Sequence, residues 1–205
     1  MKKGLGLSFT LVLPAETISV DLKTPAEFMV SNALAAAAVG YRLGLTAREI
    51  KEGLEDFEPV QGRMNILKTR KGINIIDDTY NANPGSMTAA IKTLNSLKGN
   101  NRGVLVAGDM LELGNHAESM HRKIGSISAR SNISRLYVTG QFAESVAAGA
   151  RDEDMNSRDI FVGAKDEIFE GITGWLGPGD WILVKGSRGM RMEEIVEKLK
   201  AWADD

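Results

Sequence analysis

Three short polar segments in this 205-residue chain carry residue types suited to holding a charged ligand. The first is Asp77-Asp78-Thr79-Tyr80-Asn81-Ala82-Asn83-Pro84-Gly85-Ser86. The second is Gly108-Asp109-Met110-Leu111-Glu112-Leu113-Gly114, and the third Lys185-Gly186-Ser187-Arg188-Gly189. Each directly follows a short apolar run. An Asp at the end of a strand accepts hydrogen bonds from a ribose diol, as the acidic residue of dinucleotide sites does. Asn81 and Asn83 offer both donors and acceptors. Pro84 suits the first turn of a helix, whose unpaired N–H groups favour a nearby anion. A plainer role is open to the same residues: Asp77, Asp78 and Asn83 also cap a helix and turn the chain. In the third segment a cation, a permissive glycine and a hydroxyl precede a helix N-terminus, which fits a carboxylate or a phosphate. The alternative there is an ordinary turn with a solvated arginine. Asp109 either supports a site from behind or anchors its own loop.

Absences narrow the chemistry. No Gly-Lys pair occurs in the chain, so it contains no G-x-x-x-x-G-K-[ST] phosphate loop. No G-x-G-x-x-G follows a strand and no G-x-S-x-G elbow occurs, which disfavours a dinucleotide dehydrogenase and an α/β-hydrolase. There is no cysteine, hence no disulfide framework, thiolate metal site or cysteine nucleophile. The two histidines cannot supply a three-His zinc site. His116 and His121 also miss the i,i+4 spacing of a metal pair, and they read as surface or helix-end residues. The nine methionines read mostly as core filler. Twenty-five basic and 27 acidic side chains give a net charge of −2, so no broad basic field steers nucleic acid or an anionic membrane. The longest apolar stretch, Ala33 to Val39, is too short to span a bilayer. Met1-Lys2-Lys3-Gly4 lacks the apolar core of a signal peptide, so the expected location is the cytoplasm.

The elements that must carry these segments follow from periodicity. Hydrophobic residues make up 43% of the chain, enough for a sizeable core, and 22 glycines are spread to where apolar runs end, as βα loops require. Gly6 to Leu22 reads as a hairpin turned at Pro14-Ala15-Glu16. Thr24-Pro25-Ala26-Glu27 and Thr46-Ala47-Arg48-Glu49 have capping-box spacing, the first with Pro at the opening helical position. Each predicts a helix, the first ending at Gly44, the second with Ile50 and Leu54 on one face. Pro59 to Gly62 reads as a break. Beyond it, strands are predicted at Met64–Thr69, Ile73–Asp77, Gly103–Ala107, Arg135–Thr139, Ile160–Val162 and Trp181–Lys185. Helices are predicted at Gly85–Leu97, His116–Arg130, Phe142–Ala148, Lys165–Trp175 and Met192–Trp202. This alternation implies an α/β fold with a mostly parallel, doubly wound sheet. The tight turn Arg70-Lys71-Gly72 makes the first strand an antiparallel edge. The three polar segments then share the carboxyl rim of the sheet, where ligands of such folds bind. Lys98–Asn101 and Gly177–Asp180, on the other rim, read as plain connectors. Residues 1–58, a hairpin plus two helices, would struggle to form a core alone and read as the remnant of another domain.

The three segments, Asp77-Asp78-Thr79-Tyr80-Asn81-Ala82-Asn83-Pro84 with Ser86-Met87, Gly108-Asp109-Met110 with Glu112-Leu113-Gly114, and Val184-Lys185-Gly186-Ser187-Arg188, resemble those of the Mur ligases. The likeness runs from about Gly6 to Ala201, and through its Tyr-Asn-Ala-Asn core it most resembles the branch that adds D-alanyl-D-alanine to UDP-N-acetylmuramoyl-tripeptide. The resemblance implies that residues 1–58 are the C-terminal part of a central ATP-binding domain and residues 59–205 a Rossmann-like C-terminal domain. It further implies that the phosphate loop, the Mg²⁺ ligands and the carbamylated lysine belong to a part the chain lacks. The activity implied is ATP-dependent amide-bond formation through an acyl phosphate in peptidoglycan synthesis, with ATP and Mg²⁺ as cofactors and this fragment inactive alone. Carried over by residue, Asp78 resembles the ribose-binding acid and Arg63 the nucleotide-contacting arginine. Asn32 matches the second Asn of a His-Asn-x-x-Asn-Ala stretch near the adenine, which here reads Phe28-Met29-Val30-Ser31-Asn32-Ala33. Tyr80, Asn81, Asn83, Ser187 and Arg188, with Asp109 in support, are assigned to the phosphate and dipeptide side. No catalytic residue and no metal ligand is assigned within the chain. The rival reading is a non-catalytic module that binds a nucleotide or a sugar phosphate on the same rim.

Overall fold

A computed structural model describes residues 6–205, so Met1-Lys2-Lys3-Gly4 lies outside the described residues. The chain divides into two compact units, Met1–Val60 and Gln61–Asp205. In the first unit, β1 (Leu7–Val12) pairs antiparallel with β2 (Thr17–Leu22), with Leu7 opposite Leu22 and Val12 opposite Thr17. Leu11, Val20 and Leu22 cover Ala33 and Ala37 of α1 (Phe28–Arg42) and Ile50 of α2 (Ala47–Asp56). The second capping box forms as expected: the Thr46 hydroxyl accepts from the Glu49 N–H, and the Glu49 carboxylate accepts from the Thr46 N–H. The first does not. The Thr24 hydroxyl accepts from the Ala26 N–H at 3.3 Å, closing a tight turn instead of a cap, and α1 begins only at Phe28. The hydroxyl is committed two residues on and is not available to the third.

The second unit is one six-stranded sheet between two layers of helices. Its strands are β3 (Asn65–Lys68), β4 (Asn74–Asp78), β5 (Gly103–Ala107), β6 (Arg135–Val138), β7 (Ile160–Val162) and β8 (Trp181–Lys185). Its helices are α3 (Pro84–Lys98), α4 (Ala117–Arg130), α5 (Ala143–Arg151), α6 (Lys165–Thr173) and α7 (Glu193–Asp204). The spatial order is β3-β4-β8-β5-β6-β7, with β3 antiparallel to β4 and every other pair parallel. The mostly parallel sheet with an antiparallel edge strand is therefore the fold expected from the alternation of elements. β3 is shorter than expected because Met64 takes a left-handed conformation (φ 54°) just before it.

Strand residues alternate between the two helix layers. Ile75, Val104, Val106, Ile182 and Val184 pack with Ile168 and Ile172 of α6 and with Ile195, Val196 and Leu199 of α7. The helix α3 packs on β8 and β5 from the other side, burying Met87, Ala90, Ile91 and Leu94. On α4 and α5, Gly125 and Gly149 face the neighbouring helix so closely that a Cβ on either would collide with a backbone carbonyl, of Val146 and Arg122 respectively. The amino-terminal rim is more than plain connectors. There the Arg102 guanidinium pairs with Asp180 and stacks on Trp175 at 3.9 Å, with Arg135 over the same ring at 4.4 Å.

Candidate functional site

The strand order decides the site. β8 lies between β4 and β5, so the three polar segments leave adjacent strands at the same edge, with Asp78 opposite Lys185 and Lys185 opposite Ala107. Segments far apart in the chain thus gather on one rim.

Their connections are made by buried groups. The Lys185 ammonium donates to Asp78 Oδ2 at 2.6 Å and to the Asn81 carbonyl at 2.8 Å. Asp78 Oδ1 accepts from the Met64 N–H at 3.2 Å, and the Tyr80 N–H donates to the Gly62 carbonyl at 2.9 Å. The start of the unit is thereby tied to the first loop. Burial pushes the Asp78 carboxyl above the usual carboxylate range, and the Lys185 ammonium and the Met64 N–H pull it back only in part. Asp77 is engaged locally, its Oδ1 accepting from the hydroxyl and N–H of Thr79.

Ser187 fastens all three loops. Its N–H donates to the Asp109 carbonyl at 2.9 Å, and its hydroxyl donates to the Ala82 carbonyl at 3.2 Å while accepting from the Leu111 N–H at 2.8 Å. The side chain is buried, so it acts through the loops it joins. Asp109 is buried too and accepts from the N–H groups of Gln141 and Phe142, at 2.7 and 3.1 Å, at the start of α5. It anchors the neighbouring β6–α5 turn.

His121 was expected at the surface or a helix end, and the structure overturns that. It is buried, stacked on Phe142 with ring centroids 4.7 Å apart, and its Nε2 accepts from the Met110 N–H at 2.9 Å. These bonds assign the proton to Nδ1, which donates to the Ala117 carbonyl at 2.7 Å. The signal was in the sequence: Ala117, His121, Ile124 and Ser128 repeat at helical spacing and form the buried face of α4.

Other members of the three loops face outward. Tyr80 is exposed, with the Arg63 guanidinium 4.1 Å over its ring. Asn81 Oδ1 accepts from the Ala82 N–H, which leaves its amide donors outward. Asn83 caps α3 in a reciprocal pair: its Oδ1 accepts from the Ser86 N–H at 2.8 Å, and its N–H donates to Ser86 Oγ at 3.0 Å. Arg188 is exposed and lies 3.4 Å from Glu193. Asn32 belongs to the first unit, exposed on α1, with its amide on the sulfur of Met29. Among the described residues no three His, Asp or Glu side chains gather to hold a metal ion, and no helix is long and apolar enough to cross a membrane. The arrangement offers cations, an aromatic face and amides on one rim, groups whose chemistry suits holding a charged ligand and that include no evident nucleophile.

Comparison with known proteins matches residues 62–188 to the family model described as Mur ligase, glutamate ligase domain. The chain is 37% identical over 170 residues to a UDP-N-acetylmuramoyl-tripeptide–D-alanyl-D-alanine ligase of Bacillus subtilis, covering 83% of this chain and 37% of that protein. It is 37% identical over 199 residues to the Escherichia coli ligase of the same name, covering 95% of this chain and 42% of that one. The crystal structure of MurF from Acinetobacter baumannii superposes with a TM-score of 0.83 at 32% identity, over 96% of this chain and 43% of that chain. The chain thus spans about two fifths of the length of the relatives it matches.

Proposed function

The chain belongs to the Mur ligase family through its glutamate ligase domain, and from that premise we propose that it serves an ATP-dependent ligase joining D-alanyl-D-alanine to UDP-N-acetylmuramoyl-tripeptide. In this reading residues 1–58 are the C-terminal part of the central ATP-binding domain and residues 59–205 the C-terminal ligase domain. The tripeptide's terminal carboxylate becomes an acyl phosphate at the expense of ATP, and the dipeptide's amine displaces phosphate. Such a reaction asks positioning and charge stabilisation of this rim, with no covalent step of its own.

The observation that carries the reading is the Ser187 hydroxyl, bonded at once to Ala82 and Leu111. It holds the first and second loops in fixed register, which is what a surface that presents one substrate to another requires. Arg63 and Asp78 serve the nucleotide side of this unit, with the stacked Arg63–Tyr80 pair offering a cation and a ring face to a phosphate or a ribose, and Asn32 of the first unit is assigned to the nucleotide by the resemblance alone. Asn81, Asn83 and Arg188 face the dipeptide, and Ser187 and Asp109 act by fixing the loops. Magnesium, when bound with ATP, neutralises phosphate charge. We assign it no ligand in this chain, since no suitable donor set gathers among the described residues.

A chimera tests the reading. The matching C-terminal segment of the Escherichia coli relative is replaced by this chain, and phosphate release is measured with ATP and the UDP-sugar tripeptide. The expected result is release that depends on D-alanyl-D-alanine, with none from the 205-residue chain alone. A soluble chimera that binds ATP yet shows no dipeptide-dependent release refutes the ligase and favours a binding module.

A further inference from the structure

We propose that Glu112 and Arg188 form a two-ended clamp for a small zwitterionic peptide, with Glu112 taking its ammonium and Arg188 its carboxylate. The inference rests on the ligase reading and adds to it a specificity residue, Glu112, on the second loop.

Three observations converge on Glu112. It is a non-glycine residue held in the left-handed region, at φ 64°, a conformation that costs energy and persists only where the surroundings impose it. The surroundings do impose it. The Met110 N–H is fixed on His121 and the Leu111 N–H on Ser187, both of them buried partners. The Glu112 side chain is exposed, and no hydrogen bond or ion pair engages it among the described residues. Two interior bonds thus aim an uncommitted carboxylate off the rim.

Arg188 supplies the opposite end. The Leu111 side chain lies against Gly189, its Cδ1 2.9 Å from where a Cβ would sit. Glu112 and Arg188 are the chain neighbours of these two touching residues, so opposite charges flank one contact. The turn that carries Arg188 is itself closed, the Met190 N–H donating to the Ser187 carbonyl at 2.8 Å. Glu193, the partner of Arg188, is half-buried and lies 3.4 Å away, but the Arg188 side chain is itself well exposed, so the pair is a loose one that its guanidinium can exchange for another partner. An extended dipeptide spans about 7 Å, a length suited to charges set on either side of a single side-chain contact.

The test uses the full 205-residue chain and titrates it with D-alanyl-D-alanine and with N-acetyl-D-alanyl-D-alanine, followed by backbone amide NMR. The clamp predicts shifts at residues 111–112 and 188–189 and a loss of dipeptide affinity of about tenfold or more in Glu112→Gln, as for a charge-assisted hydrogen bond. It also predicts that the acetylated dipeptide binds the parent as weakly as the free dipeptide binds the variant. Glu112→Gln keeps the backbone and removes only charge at an exposed site, so its spectrum reports that the fold is intact. Equal binding by Glu112→Gln and the parent, or equal binding of the two peptides, overturns the clamp while leaving the ligase reading standing. Failure of the parent to bind either peptide overturns the clamp, and the ligase reading is then decided by the chimera.

Discussion

Replacing Lys185 by methionine removes the cation at the centre of the rim. The ammonium makes two bonds, to Asp78 Oδ2 and to the Asn81 carbonyl, and both ion-pair side chains are almost wholly buried. Without it, the Asp78 carboxylate stays enclosed with only the Met64 N–H as donor. Breaking one side of a buried pair costs about 3–5 kcal/mol, a large fraction of the roughly 5–15 kcal/mol that holds a domain together. All three tryptophans, Trp175, Trp181 and Trp202, lie in the second unit, so fluorescence in a urea titration reports on that unit alone. With a slope of about 1–3 kcal/mol per molar urea, the midpoint should fall by on the order of 1–5 M. The pH dependence has a definite sign. The folded state already holds the Asp78 proton more tightly than the unfolded chain does, so this group adds stability as pH falls through its raised pKa toward the ordinary carboxylate range. Removing Lys185 takes away the strongest opposing influence and widens that window. The deficit of Lys185→Met should therefore be greatest at neutral pH and shrink on acidification. The companion Asp78→Leu/Lys185→Met should recover most of the loss, because no buried charge is left unpaired. A Lys185→Met variant of unchanged midpoint, or one whose deficit grows in acid, would falsify the view that this pair is held inside against its desolvation cost.

Two further outcomes are expected of the same unit. Ser187→Ala leaves the buried Ala82 carbonyl and the part-buried Leu111 N–H without their shared partner, at a cost of about 1–3 kcal/mol together. Faster amide exchange at both loops, with β6 and β7 unchanged, is the measurement, and uniform protection would contradict the fastening role. Gly149→Ala drives a Cβ into the Arg122 carbonyl and forces α4 and α5 apart, costing about 1–3 kcal/mol or more. A thermal midpoint equal to the parent's would show that the two helices do not meet as described.

The fold was legible because each element announces itself locally. Apolar runs such as Gly103–Ala107 and Trp181–Lys185 are buried on both faces and read as central strands, and Thr46 with Glu49 spells a cap that forms. Thr24 shows the limit of local spelling, since its hydroxyl closes a turn on Ala26 before a helix can claim it. The polar segments were legible as a rim because ligands of parallel sheets bind at the carboxyl ends of strands.

Residue type and spacing alone were enough to say which residues carry charge, where helices start, and that three loops leave the sheet at one edge. The fate of each charge was settled by strand order, which chain order does not contain. β8, the last strand in sequence, enters between β4 and β5. That insertion encloses Lys185 and Ser187 as internal ties and leaves Arg188, one residue further on, in solvent. A hydrogen bond is decided by what lies within about 3 Å of a polar atom, and at Lys185 and Ser187 those atoms come from a loop 104 and 105 residues away in the chain.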